Sequence, residues 1–291
     1  VSSNTVAGPA GDPESTSLAR FLAAAQEAGG PGHHFRVLQL PLNLLEPGPL
    51  FEPNTGPGDA RTVLEHAAEA GVAVLVNRPL NAMADEVMVR LAEAEVPDAP
   101  DVEAQARVVA AQELEFRRTI GSRLRAAEGS IPPEQLFRWA DDLGGVAQHV
   151  RSLEHWDQLE SQRILPRLVQ VLQALDQGLT GEAGEAWQAW RSAYLPELQK
   201  LLAAHRRRAA EISRERTGAI GGVLAAVLPP ERVGESLSRK AVWVAASAPG
   251  VTSVLVGMRQ PEYVDDALAV LEWEPLADAG RAFEVIRATT A

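Results

Sequence analysis

The stretch Val251-Thr-Ser-Val-Leu-Val-Gly257-Met-Arg259-Gln-Pro-Glu262-Tyr-Val-Asp-Asp266 decides how the rest of the chain is read. Its first six residues predict a short buried strand. Gly257 marks a turn, and the residues after it open a helix. Glycine lets a backbone pass close to a ligand, a helix N-terminus presents free N–H groups, and Arg259 adds a permanent cation with a planar donor fork. Two readings stay open at this point. One is a phosphate site for a nucleotide cofactor; the other is an ordinary strand-to-helix turn with a surface arginine.

The same strand-and-helix grammar recurs at the other end of the chain. Val72 to Val76 is a continuous apolar run, as expected for a strand covered on both faces. Phe35 to Leu40 is a compact apolar strand interrupted only by Arg36 and Gln39, and residues 1–5 resemble a strand end. Leu18, Phe21, Leu22 and Ala25 place a helix over 14–28, which Gly29-Gly30 ends. The proline- and glycine-rich segment Glu46 to Gly58 is a loop, and a helix over 59–70 follows with Asp59 as its N-cap. The order strand, helix, strand, helix, strand implies parallel strands with right-handed crossovers.

That alternation then stops. Helices are predicted over 84–95 and 101–128, then from the start signal Ser130-Ile-Pro-Pro-Glu over 133–148, and over 150–176, 182–194 and 196–217. Phe137, Trp139, Trp156, Trp187 and Trp190 are the aromatic anchors of a small bundle, and Pro166 and Pro196 are expected to kink or break their helices. A short apolar helix over 218–235 ends at Pro229-Pro230, and helices over 236–248, 261–272 and 276–288 frame the strand at 251–256. The domain reading is an α/β part formed by residues 1–83 and 236–291, interrupted by a folded helical insertion over 84–235. A structureless loop of that length would be improbable.

Four segments, in order, resemble the aldo-keto reductases, the (β/α)8-barrel family that reduces carbonyls with NADPH. Val1-Ser2-Ser3-Asn4-Thr5 is similar to the end of the family's fifth strand, and Val37-Leu38-Gln39-Leu40-Pro41-Leu42-Asn43-Leu44-Leu45 to its sixth. Val72-Ala-Val-Leu-Val-Asn77-Arg78-Pro79-Leu80 is similar to the seventh, which typically ends in Pro-Leu. Ala241-Val-Trp-Val through Gly257-Met-Arg259 is similar to the eighth, with its Pro-Gly-Val-Thr-Ser-Val-Ile-x-Gly pattern, Leu255 standing at the isoleucine. The resemblance covers residues 1–83 and 236–274. It implies a partial TIM barrel, the last four β/α units, with an all-helical bundle inserted after strand seven. Barrel ligands sit at the carboxyl ends of the strands, with phosphates near the loops after strands seven and eight.

The resemblance carries a cofactor, NADP(H), and a set of positions for it. Ser2, Ser3, Asn4 and Gln39 would face the nicotinamide carboxamide. Asn77 stands where the family often stacks a tyrosine on the nicotinamide, and Arg78 where a serine is common. Gly257, Met258 and Arg259 would line the pyrophosphate and adenosine phosphate, with Tyr263 and Asp266 on the helix face that meets adenine. The family's adenine-binding asparagine is replaced by Ala267. In a complete protein of this kind a hydride would pass to a small carbonyl substrate. The family's Asp, Tyr, Lys and His come from strands two to four, upstream of the matched region, so no catalytic residue is assigned here. Val1 reads as the start of a segment from within a longer protein.

Composition narrows the alternatives. The net charge is −12 and the pI near 5.0, which disfavours a sequence-independent grip on nucleic acid or an anionic membrane surface. With no cysteine, thiol nucleophiles and Cys-ligated metals are excluded, and a cytoplasmic location is the default. Only Tyr194 and Tyr263, and only Lys200 and Lys240, are present, and no tyrosine acid has an evident lysine or histidine beside it. His33-His34 reads as a solvated loop. His149 and His155 lack the spacing of a helical zinc motif. Asp141-Asp142 and Asp265-Asp266 read as solvated helix faces or first-turn dipole partners, and His205-Arg-Arg-Arg208 as cations near a helix C-terminus. The insertion is placed to cap the substrate pocket or to mediate assembly. A non-catalytic binding or assembly protein on a reductase-like half barrel is the competing reading, with self-association through open barrel edges as its expected partner mode.

Overall fold

A computed structural model describes residues 1–84, 87–124, 132 and 135–290. The chain divides into two compact units, residues 1–93 with 215–291, and residues 94–214. The first unit is wider than residues 1–83 and 236–291, because the segment around Val87–Arg90 and the end of a long helix belong to it.

The first unit is mixed α/β. Strands β1 (Val37–Pro41), β2 (Ala73–Asn77) and β5 (Ser253–Val254) form a parallel sheet in the order β1-β2-β5. Pro41 pairs with Asn77, and Val76 with Val254. Ser2 bridges Gln39 in parallel on the outer edge of β1, with Ser3 N donating to Gln39 O (2.9 Å) and Gln39 N to Val1 O (2.8 Å). Four parallel segments therefore lie side by side in chain order. Among the described residues the sheet does not close into a barrel.

Leu38, Leu40, Val74 and Val76 are fully buried on one face, against Val63 and Leu64 of helix Val63–Glu69 and Ala241 and Val244 of helix Leu237–Ala246. The opposite face carries Gln39 and is more open: Val37 and Leu255 are each 41% exposed. The side-chain period of two puts these residues on the two faces.

Several local signals resolve differently from the sequence reading. The helix starting near residue 59 is capped by Thr62, not Asp59. Thr62 and Glu65 form a reciprocal capping box, while Asp59 lies in a tight turn with φ +53°. Residues 84–95 are not a helix. β3 (Asn81–Ala84) and β4 (Val87–Arg90) pair antiparallel, burying Ala82 and Val89 and exposing Met83 and Met88. This is strand alternation, and the β-branched Val87 and Val89 suit it.

The second unit is helical: Val102–Thr119, Trp139–Ala147, Leu153–Leu159, Leu165–Gly178, and residues 181–214 of one helix, Gly181–Ala225. The first of these ends at Thr119, short of the expected 128. Of the expected start signal at Ser130-Ile-Pro-Pro-Glu, only Pro132 lies within the described residues.

Pro196 does not break its helix, nor does a new one begin near 218. Tyr194, Leu198 and Leu201 on either side of it are buried. Their packing outweighs the lost backbone bond. At Pro166 the chain answers differently. A π-turn, Glu160–Ile164, precedes it, and Leu165 N donates to Glu160 O. The wider turn accommodates the proline ring in the first turn of the next helix.

The bundle core is aromatic, as the anchors predicted. Phe116 and Phe137 meet edge-on at 4.7 Å, and Trp190 and Tyr194 stack at 4.3 Å. Among the described residues, no helix is long and apolar enough to cross a membrane.

Candidate functional site

The residues singled out in the sequence for the cofactor fall on the parallel segments, on the loops after them and on helix Pro261–Ala269, and of them only Gly257, Tyr263 and Asp266 line a common cleft. Gln39 is half-buried on β1, on the sheet face opposite Leu38 and Leu40. Ser2 and Asn4 are exposed beside it; Ser3 Oγ lies 3.2 Å from Thr16 Oγ1. Asn77 ends β2, and its Oδ1 is buried without a hydrogen-bond partner. Such an atom is costly unless something else satisfies it.

Arg78 is not a free cation. Its Nη2 donates to Glu46 Oε1 at 2.6 Å. Glu46 Oε2 accepts from Asn43 Nδ2 (2.7 Å) and from Met83 N (2.9 Å), and Asn43 Nδ2 also donates to Arg78 O. Asn43 is fully buried, and its Oδ1 accepts from Leu45 N and Glu46 N, a side-chain-closed turn. This network ties the loop after β1 to the loop after β2. It also holds Arg78 at φ +53°, a left-handed conformation uncommon outside glycine. The sequence reading passed over Asn43 and Glu46. The signal was local, an Asn three residues before a Glu in a loop, but their partner Arg78 is more than thirty positions away.

Gly257, Tyr263 and Asp266 line one cleft of about 280 Å³, together with Arg90, Glu93 and Arg239. Met258 and Arg259 are exposed and are not among its lining residues. Gly257 has no left-handed φ, and a Cβ built on it would meet nothing within 4 Å. The fold itself places no demand for glycine there. Helix Pro261–Ala269 follows, with no side chain capping its N-terminus.

Asp266 is committed. It accepts from the Ser236 and Ser238 hydroxyls and pairs with Arg239 Nε at 2.8 Å. Hydrogen bonding to Glu235, with Asp266 adding its charge, holds Arg239 above its ordinary pKa. Glu93 Oε1 accepts from Leu237 N at 2.7 Å, filling the first turn of helix Leu237–Ala246. The Arg90 guanidinium lies 5.3 Å over the Tyr263 ring.

Among the described residues, no hydrogen bond or ring contact joins a tyrosine to a lysine or histidine. Lys240 is buried and donates to Val233 O (3.0 Å), and Lys200 pairs with Glu197. Tyr194 is buried and donates to Glu113 Oε1 at 2.8 Å. The same oxygen accepts from Trp139 N (2.7 Å) and Ala140 N (3.3 Å), so Glu113 caps helix Trp139–Ala147 from a neighbouring helix. Burial raises the Glu113 carboxyl pKa despite these bonds. Burial, with Glu113 opposite, also raises the Tyr194 phenol. This buried pair was not foreseen.

The basic run His205–Arg208 is mid-helix rather than near a C-terminus. His205 is buried and stacks on Trp156 at 5.3 Å, Arg206 pairs with Asp157, and Arg207 and Arg208 pair with Glu211. Asp141 and Asp142 pair with Arg138 and Arg167. Among the described residues, no group of three or more His, Cys, Asp or Glu side chains is placed to hold a metal ion.

Comparison of the chain with protein-family models, with curated proteins and with solved structures finds no match.

Proposed function

We propose that the first unit is half of a (β/α)8 barrel of the aldo-keto reductase type and contributes the NADP(H)-binding loops of a carbonyl reductase. One observation carries this reading. Residues 1–3, β1, β2 and β5 lie parallel and adjacent in chain order, so Asn4, Asn77 and Gly257 all lie at or after strand ends on one side of the sheet. Ligands of parallel α/β sheets bind at that side. The open sheet face with Val37 and Leu255 supports a sheet meant to be covered by further strands, since parallel sheets are buried on both faces.

In this reading Gln39 and Asn77 hold the nicotinamide carboxamide, Asn77 Oδ1 finding in it the donor it otherwise lacks. The Gly257 backbone and Arg259 take phosphate oxygens, and Tyr263 flanks adenine. The chain's own residues bind and orient. The proton and the remaining tetrad would come from elsewhere, because no suitable tyrosine is present. Titrating NADPH while following tryptophan fluorescence tests the reading. Saturable quenching that weakens in Arg259→Gln is the expected result, and its absence up to millimolar NADPH rejects it.

A second reading is a non-catalytic binding or assembly module on the same half barrel. The engagement of Arg78 with Glu46 and of Asp266 with Ser236, Ser238 and Arg239 favours it, because both groups are spent on the fold. Its expected outcome is concentration-dependent self-association without NADPH binding.

A further inference from the structure

A second cleft in the first unit, of about 530 Å³, owes nothing to the cofactor reading. Its walls come from Leu45 after β1, Met83 of the hairpin, Ile220 and Val223 of the long helix, and Ile286 of helix Ala279–Thr290. The volume is in the range of small-molecule sites. Among the described lining residues Arg216 alone is charged. Arg216 is half-buried, its Nη1 is buried without a hydrogen-bond partner, and it enters no ion pair among the described residues.

Several arginines of the chain are differently placed. Arg78, Arg191, Arg206, Arg207, Arg208, Arg232 and Arg239 all face a carboxylate within 4 Å. Arg216 is distinguished by its place: it is half-buried against an apolar wall, with one buried guanidinium nitrogen unbonded. A guanidinium is always charged and forms paired bonds to a carboxylate, and a buried donor left unmade is costly.

We propose that this cleft binds a small amphipathic carboxylate, its acid group on Arg216 and its apolar body along Leu45, Ile220, Val223 and Ile286. A cation is disfavoured by Arg216, and a purely apolar ligand would leave the guanidinium unmatched.

Octanoate is a suitable probe, with octanol as its uncharged control. The chain has three methionines, Met83, Met88 and Met258, so methyl-labelled methionine gives three NMR signals. Met83 lines the cleft and Met258 does not. Octanoate is expected to shift the Met83 signal saturably and leave Met258 unmoved. Losing a charge-assisted pair weakens binding on the order of tenfold to a hundredfold, and Arg216→Gln should lose that much, with octanol behaving alike in both proteins. Arg216→Lys should recover part of the loss. Far-UV circular dichroism and the melting point confirm that each variant is folded. The proposal is overturned if octanoate leaves Met83 unmoved at millimolar concentration. It is also overturned if octanol binds as well as octanoate, or if folded Arg216→Gln binds octanoate as the parent does. NADPH binding, present or absent, bears on none of these outcomes.

Discussion

Replacing Gly257 with alanine separates what the fold requires from what a ligand requires. Gly257 lies outside the left-handed region, and a methyl group there meets no atom within 4 Å. The substitution therefore costs the folded state nothing visible. It removes conformational freedom from the unfolded chain, which stabilises by about 0.4–1 kcal/mol. For a unit of this size that is a rise of about 1–4 °C in Tm.

Gly250 is the internal control. It has φ +86°, and a Cβ there would lie 3.1 Å from Leu64 O. Gly250→Ala should destabilise by about 1–2 kcal/mol from the left-handed backbone alone.

If the Gly257 turn carries the cofactor's pyrophosphate, the added methyl obstructs close approach to the backbone amides. Bonds to a charged group contribute about 1.5–3 kcal/mol, so NADPH should bind on the order of tenfold or more weakly. Calorimetry reads both quantities: scanning for Tm, titration for Kd. Unchanged NADPH affinity in a Gly257→Ala protein of normal or raised Tm would refute the placement of phosphate at this turn. A fall in Tm would refute the claim that the fold is indifferent to this position.

Two further perturbations test the packing. Glu113→Gln should abolish a pH dependence: because burial raises the folded pKa above 4.5, the folded state holds the proton more tightly, so stability is greatest at low pH and declines as pH rises through the folded pKa. Denaturant melts of the parent and the variant across that window should show the difference in slope, whereas Glu113→Ala leaves Trp139 N and Tyr194 OH unpaired and should cost about 2–5 kcal/mol at any pH. Thr62→Ala removes the side-chain half of the capping box on helix Val63–Glu69 and should cost about 1 kcal/mol, seen as a lower urea midpoint with an unchanged m-value.

Much of the candidate site was legible because its signals are local. Gln39 stands out as a polar residue within an apolar strand, and Gly257 as a turn between a strand and a helix. What could not be read was which of these side chains the fold already occupies. Arg78 looks like a free cation until Glu46 is seen opposite it, and Asp266 like a ligand contact until Ser236, Ser238 and Arg239 converge on it. The strand pair Asn81–Ala84 and Val87–Arg90 was misread for a different reason. Four-residue strands containing methionine and alanine give little periodicity, and their pairing decides the structure.

By itself, then, the order of apolar runs and helix stops determined the parallel strands, because period, caps and breakers act over a few residues. The apolar run at 72–76 needed only its own composition to be read as a strand, though only one of its faces is buried, and Gly29-Gly30 needed only its missing side chains to end a helix. Tertiary structure alone decided three things. It carried one helix through Pro196, closed the Glu113–Tyr194 pair inside the aromatic core, and left a buried nitrogen of Arg216 unbonded beside an apolar cleft. Each of these depends on burial and on partners distant in sequence. The strength of a charge or hydrogen bond follows from the water removed around it, and the chain excludes that water only once it has folded.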